Sequence, residues 1–208
     1  VGIIRELLQL VEAYKKYDPA TQSRIEILLL YPGIRAWIFY KISSFLSRKG
    51  VPFFPRFFSE WSRFHTGIDI HPGAKIGNRV LMDHGMGIVI GETAIVGDDV
   101  LIYQGVTLGG TTLDRKKRHP TIESRCVIGA GAKVLGNIRV GAGCRIGANS
   151  VVVKDIPAGC TVVGIPARVV NQGGGVKSGE ELDHDKIPDP ILSRLTELEK
   201  RISELEKK

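Results

Sequence analysis

A six-residue period runs through the middle of this chain and limits what it can fold into. Apolar residues fall at Ile70, Ile76 and Met82, then at Ile90, Val96 and Ile102, then at Ile122, Ile128, Val134, Val140, Ile146 and Val152. Glycine follows the apolar residue at Gly77, Gly91, Gly97, Gly129, Gly141 and Gly147. Four residues after each apolar position stands a small or aliphatic side chain: Ala74, Val80, Met86, Ala94, Val100, Val106, Cys126, Ala132, Ile138, Cys144, Ser150 and Ile156. A period of six suits neither an α-helix, at about 3.6 residues per turn, nor an isolated hairpin. Three short strands per coil with sharp turns between them do fit. Eighteen residues then close one triangular coil, and coils stack at about 4.8 Å as a parallel β-helix. The hexad's first residue and its i+4 neighbour both point into a narrow interior, which accounts for the small residues. Glycine permits the tight corners.

The period slips twice. Met82 to Ile90 is eight residues, two beyond the hexad, and Ile102 to Ile122 is twenty, two beyond a full coil. The second break holds GGTTLDRKKRHPT, residues 109–121, polar and basic. A segment ejected from a regular prism has no packing reason to be there, and such insertions map to the functional face. The pattern decays after Val152 in a last, capping coil. The expected organisation is a helical region over 1–66, the prism over 67–170, a linker over 171–186 and a helix over 187–208. In that last segment Ile191, Leu195, Leu198, Ile202 and Leu205 follow a 4-3-4-3 seam. With Leu195 at position a, Arg194 and Arg201 fall at g, and Glu199 and Glu206 at e, a pattern for parallel in-register coiled coils. So short a seam needs chains that are already associated.

Residues 3–65 read as short helices punctuated by Asp18-Pro19, Pro32, Pro52 and Pro55. Short helices need a partner surface, so this region is a cap on the prism. The formal net charge is +7, which suits an anionic partner. The basic stretch lacks interleaved aromatics, so a phosphorylated small molecule fits better than nucleic acid. The most apolar run, Ile25 to Tyr40, is broken by Pro32, Gly33 and Arg35, so neither a membrane span nor a signal peptide is expected. Cys126, Cys144 and Cys160 lack CxxC spacing, which favours core thiols in a reducing, cytoplasmic setting over a disulfide framework or a zinc site.

Three clusters carry chemistry. Asp69 precedes Ile70, with His71-Pro72 after it. Asp83-His84 follows Met82 at the first slip. Arg118-His119 lies in the ejected segment. Asp69 and His84 stand about one coil apart, so a carboxylate can meet an imidazole in a general-base arrangement.

The stretches DIHPGAKIG (69–77), LMDHGMGIVIGETA (81–94), VTLGGT (106–111), RHPTI (118–122), VIGAGAKVLGNI (127–138) and GIPAR (164–168) resemble the serine O-acetyltransferases. The resemblance spans about residues 10–170 and implies a left-handed parallel β-helix assembled as a homotrimer, with its sites between subunits. It implies acetyl transfer from acetyl-CoA to the hydroxyl of L-serine, without a metal, as the first step from serine towards cysteine. His84 would be the general base, oriented by Asp69. Asp18 and Asp83 would hold the substrate ammonium, Arg118 would clamp the carboxylate, and His119 would assist. Gly110, Ala130 and Lys133 would lie along the CoA arm, with Arg145 and Arg168 nearer its phosphates. The backbone of Gly109, Gly110 and Thr111 is the candidate oxyanion donor, because glycine lets a ligand approach N–H groups closely.

L-Cysteine is the feedback inhibitor the resemblance implies. A short N-terminal region favours one trimer over a dimer of trimers. A coiled-coil tail ending Glu206-Lys207-Lys208 does not suit the docking into O-acetylserine sulfhydrylase that other members perform. An acetyltransferase for a sugar or xenobiotic hydroxyl is the alternative. It would keep His84 and the prism but would not need Arg118 opposite Asp18 and Asp83.

Overall fold

A computed structural model describes residues 2–21, 23–171 and 190–206. Four helices come first: α1 (Ile3–Tyr17), α2 (Arg24–Leu30), α3 (Pro32–Arg48) and α4 (Phe54–Thr66). Ser23 caps α2 by accepting from Glu26 N–H at 3.1 Å. Pro32 opens α3, where its missing N–H costs nothing. Gly67, in the left-handed region, closes α4.

From residue 69 the chain winds as a three-faced prism of short strands. The first face stacks β1 (Asp69–Ile70), β4 (Val89–Ile90), β7 (Thr107–Gly109), β10 (Lys133–Leu135) and β13 (Val151–Val152). The second stacks β2 (Lys75–Ile76), β5 (Ile95–Val96), β8 (Thr121–Ile122) and β11 (Arg139–Val140). The third stacks β3 (Leu81–Met82), β6 (Leu101–Ile102), β9 (Val127–Ile128), β12 (Arg145–Ile146) and β14 (Thr161–Gly164). These ladders are parallel, and an antiparallel strand, β15 (Ala167–Asn171), ends the third face against β14.

Hexad residues and their i+4 neighbours fill the interior, including Ile122, Cys126, Ile128, Ala132 and Val134, all fully buried. Two positions depart from the sequence expectation. Met86 is 69% exposed, and Ile88 takes its inward place at 0%. The two extra residues of the first slip lie before Ile88, so the inward position moves with them. Leu108 is fully buried in β7, paired with Ile90 and Val134. The hexad therefore continues past Ile102. The second slip is an eight-residue excess between Leu108 and Ile122, and the ejected segment is 110–120.

The helical cap seals the open end of the prism. The first coil's strands have no coil above them, so their backbone groups need partners. Each receives a hydroxyl from the cap. Tyr14 accepts from Met82 N–H (2.8 Å) and donates to Met82 C=O (3.1 Å) on β3. Tyr40 donates to Ala74 C=O (2.8 Å) and accepts from Ile76 N–H (3.3 Å) at β2. Ser59 donates to Ile70 C=O (2.8 Å) on β1. A second small core of Leu101, Tyr103 and Val127 forms on the outside of the third face, with Tyr17 of α1 packed on it.

The helix α5 (Pro190–Glu206) carries exposed Leu195, Leu198, Ile202 and Leu205. The expected linker lies largely outside the described residues. No helix among the described residues is long and apolar enough to cross a membrane. The three cysteines are free and buried.

Candidate active site

Two clusters of polar side chains flank the first face. One is at the corner between β3 and β4, where the first slip widens the turn. Asp83 is half-buried there, and His84 is exposed, its side chain 72% accessible. His84 has φ +56°, with Gly85 at +76° and Gly87 at +77°. The same φ recurs at Arg79, Asp99, Arg125 and Asn149, also corner residues of the prism, so it belongs to the tight turn that presents His84. The turn is tied under β1 by Gly87 N–H to Gly67 C=O (2.8 Å), so His84 and Asp69 belong to adjacent coils. The carboxylate nearest the imidazole is Asp83's, its Oδ2 3.7 Å from Nε2, and no ion pair joins Asp69 to the ring among the described residues.

Asp83 also faces the cap. Its Oδ1 accepts from His84 N–H (2.9 Å) and its Oδ2 from the Tyr17 hydroxyl (3.2 Å). Asp18, at the end of α1, accepts from Ala20 N–H (2.8 Å) and from the Tyr31 hydroxyl (2.5 Å). Burial above all pushes the Tyr31 hydroxyl pKa up, followed by its bond to Asp18 and the charges of Asp18, Glu26 and Asp83. Asp18 follows Tyr17, whose hydroxyl bonds Asp83, so the end of α1 lies at the Asp83 corner.

The other cluster lies at the corner between β4 and β5, where the ejected segment returns. His119 is 8% exposed and lies over Gly91, whose missing Cβ leaves room for the ring. Its Nδ1 is 3.2 Å from Thr93 N–H and 2.9 Å from Thr93 Oγ1. The backbone N–H can only donate, so Nδ1 accepts and the neutral ring carries its proton on Nε2. Burial first, then the charge of Arg118, lowers the His119 pKa, which keeps the ring neutral. Arg118 pairs with Glu92 at 2.6 Å and donates to Asp114 C=O at 2.9 Å. Lys117 secures the segment through Thr93 C=O (2.8 Å), Pro120 C=O (3.1 Å) and His119 C=O.

The remaining sequence candidates are spread around the prism. Gly110 and Thr111 open the ejected segment, both exposed. Ala130 follows β9 and packs on the outer core beside Tyr103. Lys133 is on the first face and donates to Gly105 C=O. Arg145 is on the third face, and its Nη2 is buried without a partner among the described residues. Arg168 is exposed on β15. The sequence reading missed Glu92, Thr93, Lys117, Tyr17, Tyr31 and Tyr103. Adjacency was the available signal, since Tyr17 precedes Asp18 and Lys117 precedes Arg118.

A bacterial transferase hexapeptide (six repeats) family matches residues 119–154. A serine acetyltransferase of Synechococcus elongatus is 51% identical over 189 residues, 91% of this chain and 77% of the relative. One from Bacillus subtilis is 49% identical over 201 residues, 97% and 92%. A solved serine acetyltransferase in complex with cysteine superposes with a TM-score of 0.79 at 41% identity, over 81% of this chain and 70% of that one. The Brucella abortus enzyme in complex with coenzyme A gives 0.80 at 39%, over 83% and 69%. A hexapeptide prism, an exposed histidine beside a carboxylate at its corner, and identity at this level over nearly the whole length agree: the chain belongs to the serine acetyltransferase family.

Proposed function

We propose that this protein transfers the acetyl group of acetyl-CoA to the hydroxyl of L-serine, giving O-acetylserine and CoA, at sites shared between neighbouring subunits of a homotrimer. His84 takes the proton from serine Oγ as that oxygen attacks the thioester carbonyl. The tetrahedral intermediate then collapses, the C–S bond breaks, and the imidazolium returns the proton to the leaving thiolate. A positioned imidazole supplies about 10²–10⁴ in rate for such a step. Asp69, one coil away, orients the ring. In unliganded enzymes such hydrogen bonds are often open and tighten in the complex, in keeping with the exposed ring here. Gly110 and Thr111 offer backbone N–H groups to the oxyanion.

A zwitterionic acceptor calls for carboxylates at one end and a guanidinium fork at the other. Asp18 and Asp83 fill the first role and Arg118 the second, with His119 Nε2–H as an added donor. Ala130 and Lys133 line the CoA arm. Arg145, whose Nη2 is buried without a partner among the described residues, and Arg168 attract its phosphates. L-Cysteine presents the same ammonium and carboxylate as serine, so it competes at this site as the feedback inhibitor. The enzyme works in the cytoplasm, in keeping with its three free thiols. In the assembled trimer the exposed apolar seams of α5 zip the tails together.

The observation that carries the shared site is topological. The Asp83–His84 corner and the Arg118–His119 corner are opposite edges of the first face, so one chain does not close both around one amino acid. Co-expressed His84→Ala and Arg118→Ala chains test it, each being inactive alone. Mixed trimers recover about a quarter of wild-type thiol release, since chance places both intact halves at one interface in four. No recovery above the single variants would overturn the shared site. Equal turnover of serine and a galactoside would favour the alternative acceptor.

A further inference from the structure

The direction of one hydrogen-bond chain is fixed by chemistry. A carboxylate accepts, so the Tyr17 hydroxyl donates to Asp83 Oδ2 at 3.2 Å. The Tyr17 oxygen is then left as the acceptor for Tyr103, whose hydroxyl lies 2.7 Å away. The chain therefore reads Tyr103 to Tyr17 to Asp83. Its origin is rigid, because Tyr103 is 9% exposed in the outer core with Leu101 and Val127. Its middle belongs to the cap, because Tyr17 is the last residue of α1 and precedes Asp18.

We propose that Tyr103 and Tyr17 are positioning residues that hold the Asp83 carboxylate beside Asp18, so that the two accept one ammonium group and select amino-acid alcohols over alcohols without an amine. This rests on the reading that Asp83 and Asp18 hold the substrate ammonium. An ammonium has three donors and gains most from acceptors already aimed at it. Without the phenol, the Asp83 carboxylate keeps its bond from His84 N–H but loses the one that fixes Oδ2. Burial, then the contact with Tyr103, pushes the Tyr17 pKa up, so the phenol stays a donor throughout the working range. Tyr31 performs the corresponding service for Asp18. Both carboxylates are thus each held by a cap phenol.

A double-mutant cycle tests the chain, with serine varied at saturating acetyl-CoA and acetyl-CoA varied at saturating serine. Tyr17→Phe raises the serine KM about tenfold, the cost of one hydrogen bond to a charged group. The acetyl-CoA KM moves far less, and the preference for serine over 3-hydroxypropanoate shrinks by a similar factor. Tyr103→Phe acts in the same direction and more weakly. In the Tyr17→Phe background it adds nothing to the serine KM, because its path to Asp83 runs through Tyr17.

Asp83→Asn separates the two ways of failing. If it leaves the serine KM at the wild-type value, the ammonium reading falls. If it raises the serine KM while Tyr17→Phe does not, the positioning role falls. Full additivity of the two tyrosine changes overturns the chain. Should Tyr17→Phe fail to fold, Tyr103→Phe decides, and a wild-type serine KM there overturns the proposal.

Discussion

Replacing Tyr14 with phenylalanine removes one oxygen from the seam between cap and prism and keeps the ring. That oxygen is fully buried and serves both Met82 N–H and Met82 C=O on the exposed edge of β3. No water takes its place, because the backbone at Gly33 lies directly against the hydroxyl, where even a Cβ would collide with it. The variant therefore strands one buried donor and one buried acceptor. Each stranded group costs about 1–3 kcal/mol, less the small packing gain of an apolar edge, so the loss is about 2–4 kcal/mol. For a domain of this size that is a fall in Tm of about 5–15 °C. Thermal unfolding by circular dichroism, with both proteins at one concentration because assembly adds mass-action stability, reads the difference. A fall of less than about 2 °C would refute the idea that the cap hydroxyls stabilise the open edge.

Gly91→Ala puts a methyl group into the ring of His119. The ring moves and the backbone need not, so the Tm holds while thiol release with serine falls about a hundredfold. Wild-type turnover would show that the place of His119 does not matter. His119 and His71 both have pKa values lowered chiefly by burial. Below the ordinary imidazole value of about 6.5 the unfolded chain binds protons that the native state refuses. Stability is therefore complete above that pH and declines as the pH drops through it. Denaturant midpoints between pH 5 and 7 check this, with a shallower slope in His119→Gln. Equal slopes would remove His119 from the account.

The prism was legible because its interior is too narrow to be ambiguous. Each hexad must supply an apolar residue and a small one, and the twelve hexads read from the sequence leave little freedom. The misread positions are those where the backbone shifts phase. At Met86 a fixed offset of four failed, because the two extra residues sit inside that interval. At Leu108 the pattern was intact, but counting whole coils across the ejected segment skipped it. His84, Arg118 and His119 were visible as chemistry that packing did not need. Their surroundings were not, because Thr93 and Glu92 meet His119 and Arg118, and Tyr17 and Tyr103 meet Asp83, only through winding that brings distant residues together. A tyrosine near a helix end reads equally well as surface.

The stacking interval has a consequence for reach. Each coil advances the column by about 4.8 Å, so the prism acts as a graduated rule with the imidazole near its zero mark. Lys133 stands about two graduations further along, Arg145 about three, and Arg168 further still. Inserting one coil between β8 and β10 would leave His84, Arg118 and His119 in place and slide the basic residues by one division. Such a variant would keep its acceptor and lose its fit to a long, phosphate-tailed donor, while a short acetyl thioester would notice nothing.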